Sequence, residues 1–348
     1  MRNCGQPAGD VEVTAAAEQY GAAEAPSGGW PATFLVIAYR MRDTLPQAVA
    51  GALAQTVPCE IIVSDDSSGD GSLEAVRPML HGYAGPHRVI VRGTARNLGL
   101  CPHMQELATL ASAPILFNSA GDDVSRPHRV ADVLAEFAAH PQAQIVGSSV
   151  DDVDAEGHLI EAATRGLPRR VDQDWLLAQG KMATILGASM ALRRALFTAF
   201  PPLVGRVEDN MLMLRGALAG ECRCLPQPLL DYRRHDHNLG DWVFDRSEAG
   251  YAGWKRRQAR VAGMYLEIAD DQWRCVEARP DIATERREKG LRLQALYRLE
   301  AEQRLAMIDR PRSAWLAPLW RGLNMPGLRR KSAERALKLL LPRRLYGR

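Results

Sequence analysis

The stretch Glu60–Asp66 reads EIIVSDD, a run of apolar residues that ends in two adjacent aspartates. Pro114–Asp123, PILFNSAGDD, has the same pattern, because a second apolar run again leads into a pair of aspartates. Adjacent carboxylates repel each other and must be solvated or neutralised, so purely structural strands do not normally end in them. In open α/β sheets, ligands bind at the carboxyl ends of the strands. The two stretches therefore predict strands that end at a site for a nucleotide phosphate and a divalent cation.

Each acidic pair also has an ordinary local explanation. Asp65 and Asp66 are followed by SSGDGS, a run of turn-forming residues, and aspartates often bond their own backbone in turns. Asp122 and Asp123 precede a helix that Ser125 could cap. A third pair, Glu208–Asp209, opens a helix-like stretch, where acids are favoured by the helix dipole. The order of the three pairs and the strands before the first two favour a shared site.

Strand-like and helix-like patterns alternate around these stretches. ATFLVIAYR begins a strand at Ala32, and HRVIVR, APILFN and QAQIVGSSV are further strand-like runs. Helix-like segments separate them, among them DTLPQAVAGALAQT and SRPHRVADVLAEFAAH. Strands that alternate with helices of about 10 to 15 residues predict an α/β fold with a mostly parallel sheet and helices on both faces.

The chain has 348 residues, of which 46% are apolar, so it can bury a full core. No stretch approaches the roughly 18 consecutive apolar residues of a membrane-spanning helix. The first 30 residues lack the pattern of a secretory signal, which predicts a mobile leader. We expect four parts: a leader (1–30), an α/β domain (31–245) with a nucleotide-binding half (31–150) and an acceptor half (151–245), a helical extension (246–309), and a basic amphipathic tail (310–348).

The net charge of +3 is unevenly distributed. Residues 310–348 contain eleven Lys or Arg and one acid, Glu334, so this tail carries +10 and the remainder −7. A basic tail on an acidic body indicates a surface-binding appendage and not a nucleic-acid enzyme. Its arginines alternate with Trp315, Trp320 and several leucines, a pattern that suits the surface of an anionic membrane. A tail helix docked on the body explains the same pattern equally well.

Six scattered cysteines without a CxxC spacing predict reduced thiols and a cytoplasmic protein. Cys222 and Cys224 would lie on one face of a strand, which is weak evidence for zinc.

The motifs FLVIAYRMRDTLPQAVAGALAQT, IIVSDDSSGDGS, ARNLGL and SAGDDVSRPHRV follow one another in the stretch from about Thr33 to Asn238. In this order they resemble a family 2 glycosyltransferase. The resemblance implies the GT-A fold, a Rossmann-like, mostly parallel sheet flanked by helices. It also implies transfer of a sugar from a nucleotide-diphosphate donor to a hydroxyl group with inversion of configuration.

The same resemblance implies roles for individual residues. Tyr39, Asp65 and Arg96 would bind the donor together with Asp122 and Arg233. Asp122, Asp123 and His235 would hold Mn²⁺ or Mg²⁺, because hard cations prefer oxygen ligands. Asp209, beside Glu208, would be the catalytic base that takes the proton from the acceptor hydroxyl.

The expected donor is a UDP-sugar and the expected acceptor a glycan or a lipid-linked glycan, with the basic tail at the inner face of the cytoplasmic membrane. Two other interpretations stay open. The chain could be a catalytically inactive sugar-nucleotide-binding or scaffold protein of the same fold. A sugar nucleotidyltransferase is disfavoured, because its glycine-rich, arginine-containing loop is missing after the first strand, where AYRMRDTLP stands.

Overall fold

The computed structural model describes residues 17–21, 23–235, 249–342 and 346. In these residues one sheet of eleven strands forms the centre of the molecule. The strands are β1 (Glu18–Tyr20), β2 (Thr33–Ala38), β3 (Glu60–Asp65), β4 (Arg88–Gly93), β5 (Ile115–Ala120), β6 (Val124–Ser125), β7 (Ala143–Val153), β8 (Leu159–Thr164), β9 (Arg170–Val171), β10 (Ala191–Arg193) and β11 (Glu221–Arg233).

The helices lie between and after these strands. They are α1 (Leu45–Leu53), α2 (Ser72–Leu80), α3 (Leu100–Leu110), α4 (Arg129–Ala139), α5 (Gln173–Gln179), α6 (Ala195–Thr198), α7 (Glu208–Ala219), α8 (Gly250–Ala278), α9 (Thr284–Asp309), α10 (Leu316–Leu323) and α11 (Arg329–Leu337). A short 3-10 turn, Gly187–Ser189, precedes β10. No helix among the described residues combines the length and the apolar character needed to cross a membrane.

The sheet order is β1-β4-β3-β2-β5-β10-β7-β11-β6, with β8 beside β7 and β9 beside β11. Strands β4, β3, β2 and β5 are parallel to one another. Because Ala38 pairs with Asp65 and Ile37 with Ala120, strands β3 and β5 end at the same edge of the sheet. This edge therefore carries both aspartate pairs, and the predicted α/β fold is confirmed.

Both faces of the central strands are buried, which explains why these strands are apolar without interruption. Phe34 and Val36 of β2 belong to a core with α1, α2 and α4. Leu35 points to the opposite face, into a larger core with α3, α7, α8 and α9. The alternation of side chains along a strand thus divides one apolar run between two layers.

Several boundaries differ from those predicted. The segment predicted as a leader contains β1, which pairs with the edge strand β4, while residues 1–16 and 22 lie outside the described residues. Ser125 was predicted to cap a helix, but it lies in β6 and α4 begins at Arg129. The helical extension predicted over 246–309 is divided after Ala278, because Pro280 cannot continue a helix.

The tail is docked on the body over its described length. Trp315 is fully buried, and the buried Glu300 of α9 forms an ion pair with Arg335 of α11. Gln303 of α9 donates a hydrogen bond to Ser332 of α11 at 2.9 Å. The cysteines at 59, 101, 222, 224 and 275 are free and buried, and burial raises the pKa of Cys59 to about 12, so these thiols stay neutral.

Candidate active site

Asp122 and Asp123 lie in the tight turn between β5 and β6. The turn needs a glycine at position 121, because a Cβ there would lie 2.9 Å from Sδ of Met41 and 3.1 Å from Cδ1 of Leu45. Both aspartates are largely buried in the fold. The chain therefore packs this turn closely against the start of α1 and presents two carboxylates at the sheet edge.

Strand β11 brings the second half of the site to this turn. It pairs with β6 and ends at Arg233, so His235 reaches Asp122, with 2.8 Å between Nε2 and Oδ2. The backbone N–H of Arg233 donates a hydrogen bond to Oδ1 of Asp123 at 2.9 Å. The three residues predicted to bind the metal, Asp122, Asp123 and His235, thus lie together.

The surroundings of Asp123 are suited to a cation. Its Oδ2 is buried without a hydrogen-bond partner among the described residues. Burial and the neighbouring Asp122 raise the pKa of Asp123 well above its usual value. Two carboxylates and one imidazole are suitable ligands for Mn²⁺, and the unpaired oxygen is the kind of group that a cation stabilises. The residues present therefore fit a divalent cation at this turn.

The side chain of Arg233 is placed differently from the prediction. We expected it to face the donor diphosphate, but it is buried and bonds the surrounding backbone. Its Nε donates to the carbonyl oxygen of Asp122 at 3.0 Å and Nη2 donates to Oε1 of Gln47 at 2.7 Å. Nη1 donates to the carbonyl oxygens of Asp154 and Ala155 in the turn between β7 and β8. The guanidinium therefore joins three segments around the acidic turn.

The β7–β8 turn carries a second group of ligand-type side chains, Asp154, Glu156 and His158, whose ligand atoms lie within 4.8 Å of one another. Glu156 and His158 are exposed, and His158 pairs with Asp154 at 3.2 Å. Exposed acidic groups are common without a metal, so this group by itself identifies no site.

Arg129 is a fully buried arginine directly behind the acidic turn. It lies over the rings of Phe34 and Phe117, and Nη2 donates to the carbonyl oxygens of Asn118 at 2.7 Å and Ala188 at 2.8 Å. Burial lowers its pKa to about 10, while the charge of Asp123 acts in the opposite direction. Arg129 thus connects β5, which carries the acidic turn, to the Gly187–Ser189 turn.

The third acidic pair lies on the other side of that turn. Glu208 and Asp209 open α7, and a Cβ on Gly187 would lie 2.6 Å from Oε1 of Glu208 and 3.5 Å from Cβ of Asp209. Burial, followed by the charge of Asp209, raises the pKa of Glu208 to about 8. Burial also raises the pKa of Asp209, against the hydrogen bonds that its Oδ1 accepts from Asn210.

The residues predicted to bind the base lie at the ends of β2 and β3. Asp65 accepts hydrogen bonds from N–H and Oγ of Ser68, and Ser68 Oγ also accepts one from the N–H of Arg40. Arg40 has a left-handed backbone with φ of 58° and stacks its guanidinium on the Tyr39 ring. Tyr39 stays 41% exposed, so its ring is available to a ligand.

The carboxylate of Asp66, in contrast to that of Asp65, holds a neighbouring loop in place. Its carboxylate accepts hydrogen bonds from N–H of Leu98 at 2.9 Å, N–H of Gly99 at 2.8 Å and Oγ1 of Thr94 at 3.0 Å. These bonds fix the ARNLGL loop, in which Arg96 is exposed beside the sheet edge. One aspartate of the pair thus shapes the loop that carries a predicted donor-binding residue.

Comparison with known proteins identifies a family for part of the chain and similar folds for most of it. Residues 33–200 match the model of glycosyl transferase family 2. No curated protein sequence matches the chain. S. aureus TarS (residues 1–349, in complex with UDP-GlcNAc) is similar in structure, with a TM-score of 0.51 and 14% identity, covering 88% of this chain and 91% of that one.

A mannosyltransferase from Pyrobaculum calidifontis, PcManGT, in complex with GDP-Man and Mn²⁺, gives a TM-score of 0.49 at 15% identity and covers 90% of this chain and 87% of that one. At such identities, the similarity to TarS shows the fold alone, which is GT-A. The family match covers the strands that carry Asp65, Asp122 and Asp123. This chain is a glycosyltransferase, and its residues 33–200 form a glycosyl transferase family 2 domain.

Proposed function

We propose that this chain is an inverting, metal-assisted glycosyltransferase that moves a sugar from a UDP-linked donor to a hydroxyl group of a glycan or lipid-linked acceptor. The donor class is supported by TarS, which was studied in complex with UDP-GlcNAc. The remaining support comes from the arrangement of three acidic pairs at the sheet edge.

One observation carries the proposal: the acidic turn and the Glu208–Asp209 pair are both linked to the Gly187–Ser189 turn. From one side, Arg129 donates to the carbonyl oxygen of Ala188 while its charge acts on Asp123. From the other side, Glu208 packs against Gly187. A donor diphosphate at the first pair and an acceptor hydroxyl at the second would therefore be held by one rigid unit.

In this proposal, Asp122, Asp123 and His235 hold Mn²⁺ or Mg²⁺. When bound, the cation supplies charge neutralisation for the departing diphosphate. The acidic turn stays in position because Arg233 and Arg129 bond its backbone and that of β5. Tyr39, Asp65 and Arg96 bind the nucleoside end of the donor.

Asp209 removes the proton from the acceptor hydroxyl as its oxygen bonds to the anomeric carbon. The bond from that carbon to the diphosphate oxygen breaks on the opposite face, so the configuration inverts, and both electrons leave with the nucleoside diphosphate. Glu208 lies beside Asp209, and its pKa of about 8 keeps it neutral at pH 7. A neutral Glu208 therefore adds no charge of its own beside the carboxylate proposed as the base.

We divide the chain into a catalytic domain over 31–245, a helical extension over 246–309 and a membrane-contacting tail over 310–348. Support for the tail comes from its charge of +10 and from exposed apolar side chains, since Leu337 is 64% and Leu340 82% exposed. Equal sedimentation of the full chain and a chain ending at Arg310 with phosphatidylglycerol vesicles would contradict the membrane assignment.

The function is tested by a thermal-shift screen of nucleotide sugars with Mn²⁺, followed by turnover assays with the donors that bind. We expect Asp209→Asn to keep donor affinity within about twofold and to lose about 10²-fold or more in turnover, as for other catalytic bases. Asp174→Asn, an exposed aspartate on α5, is the matched control and should behave like wild type. A wild-type protein that binds donors but transfers or hydrolyses none would favour the scaffold interpretation.

A further inference from the structure

A groove crosses the surface of the helical extension and the tail. One cavity of about 600 Å³ lies between α9 and α10 and is lined by Gln294, Arg298, Trp320 and Asn324 among others. A second cavity of about 370 Å³ shares Gln294 and Arg298 and continues to Trp273 on α8. Volumes of this size fall in the range of small-molecule binding sites, about 300–1,000 Å³. The described residues thus form an extended site away from the acidic turn.

Two tryptophans at this groove are unusually exposed. Trp320 is 69% and Trp273 50% accessible to solvent, whereas Trp315 on the same tail is fully buried. Tryptophan is on average highly buried, because its ring is the largest apolar side chain. Exposed large aromatics beside a cavity therefore indicate a surface that contacts another molecule.

The charged side chains that line the two cavities are all paired, and Arg274 pairs with Asp271 at 3.0 Å. Arg298 pairs with Asp270 at 3.1 Å, and Arg321 pairs with Glu302. Gln294 and Asn324 add amide groups, which can both donate and accept hydrogen bonds. Paired charges attract an anionic surface less than free cations would, and together with the amides they can bond to many hydroxyl groups.

We propose that the groove binds a neutral oligosaccharide, the acceptor glycan of the reaction, and this inference rests on the proposed function. A sugar ring has an apolar face that covers an indole ring and a rim of hydroxyls that needs both donors and acceptors. Two exposed indoles joined by amides and ion pairs offer both along one line, as a chain of several sugar units requires.

The groove is also connected by buried contacts to the helix that carries the proposed catalytic base, Asp209. Asp270 is next to Asp271, which holds the buried Arg215 of α7 through a two-point ion pair at 2.6 and 2.9 Å. Helix α7 begins with Glu208 and Asp209. A glycan held on α8 and α9 is therefore attached to the same packed unit as the residue proposed to activate its hydroxyl.

The test measures binding of cellohexaose, chitohexaose and laminarihexaose to the full chain by calorimetry, with Trp320→Ala, Trp273→Ala and Trp320→Tyr. We expect at least one hexasaccharide to bind wild type, a loss of at least tenfold in affinity for either alanine variant, and recovery to within about threefold with tyrosine. Leu337→Ala, an equally exposed tail residue, should not change the affinity.

The inference is wrong if no hexasaccharide binds wild type or if the alanine variants bind as well as wild type. It is equally wrong if Trp320→Ala instead abolishes dimerisation in light scattering or binding to phosphatidylglycerol vesicles. Donor binding is measured in the same samples by thermal shift with UDP-sugars. A wild-type chain that binds a donor but no hexasaccharide contradicts this inference alone, whereas a wild-type chain that binds no donor contradicts the proposed function.

Discussion

His235 Nε2 lies 2.8 Å from Oδ2 of Asp122, although 113 residues separate them in the chain. The contact forms because β11 pairs with β6, the short strand that directly follows the acidic turn. Because one strand pairing sets this distance, the two side chains are held before any ligand arrives. Two potential metal ligands that the fold holds this close form part of a preorganised metal site.

We expect Asp122→Asn and His235→Ala each to weaken Mn²⁺ binding at least tenfold, because each removes one proposed ligand. Calorimetric titration of Mn²⁺ in the presence of UDP measures this without any turnover. His158→Ala is the control, since it removes the imidazole of the exposed group on the β7–β8 turn. Weaker Mn²⁺ binding in His158→Ala together with unchanged binding in His235→Ala would move the metal site to that turn.

Because Arg233 holds the acidic turn in position, its replacement should have different effects from the loss of an arginine that binds the diphosphate. Removing its guanidinium in Arg233→Met takes a donor from the carbonyl oxygens of Asp122, Asp154 and Ala155, and the loss at the buried Asp122 carbonyl costs about 1–3 kcal/mol. We expect a lower free energy of unfolding, weaker Mn²⁺ binding and a lower kcat. Arg233→Lys should not rescue them, because one ammonium cannot reach three segments. An Arg233→Met variant with wild-type stability and only a raised donor KM would contradict the positioning role.

Gly187 has to be small because of the carboxylate that packs on it. In Gly187→Ala the new Cβ would lie 2.6 Å from Oε1 of Glu208, the mobile end of a side chain, so the fold can adapt while the acidic pair shifts. We therefore expect a fall of about tenfold or more in kcat with a change of less than about 1 kcal/mol in unfolding free energy. Gly28→Ala, where a Cβ would meet no atom within 4 Å and φ is not positive, is the matched control. Equal activity of both variants would show that Glu208 tolerates displacement.

Much of this architecture was predictable from local patterns. The apolar runs before Asp65 and Asp122 predicted β3 and β5, because a strand buried on both faces must be apolar throughout. Gly220 directly follows α7 and is an equally local signal, since glycine commonly ends helices. Such features depend on neighbours along the chain, which the sequence shows directly.

The partners of Arg233 and Arg129 could not be predicted, because they are carbonyl oxygens from distant segments. An arginine on an amphipathic helix is normally solvated, yet Arg129 is enclosed by two phenylalanines. The one sequence signal for a role of Arg129 near the acidic turn was its position six residues after Asp123, on the first turn of the following helix. The roles of Tyr39, Arg96 and Asp209 stay predictions until the proposed variants are measured.

The raised pKa of Glu208 predicts a specific pH dependence. Its pKa is about 8 in the folded protein and about 4.5 when solvated, so between these values the native state retains a proton that the unfolded state releases. The free energy of unfolding should therefore fall as pH rises from 4.5 to 8. Glu208→Gln removes this dependence, so we expect the variant to gain stability relative to wild type at pH 9 and not at pH 4, in urea unfolding. A difference that is the same at both pH values would contradict the raised pKa.

The ion pair between Glu300 and Arg335 predicts how firmly the tail is docked. Burial alone would raise the pKa of Glu300, but the hydrogen bonds and charge of Arg335 outweigh it and lower the pKa to about 2. The pair therefore stabilises the fold above pH 4.5, and this contribution is lost as the pH falls towards 2. Glu300→Gln leaves a buried cation unpaired, so we expect a loss of about 3–5 kcal/mol and faster trypsin cleavage in the tail. Arg330→Met breaks only the exposed pair with Glu334 and should cost less than about 1 kcal/mol, so equal effects of the two variants would show that the buried pair does not hold the tail.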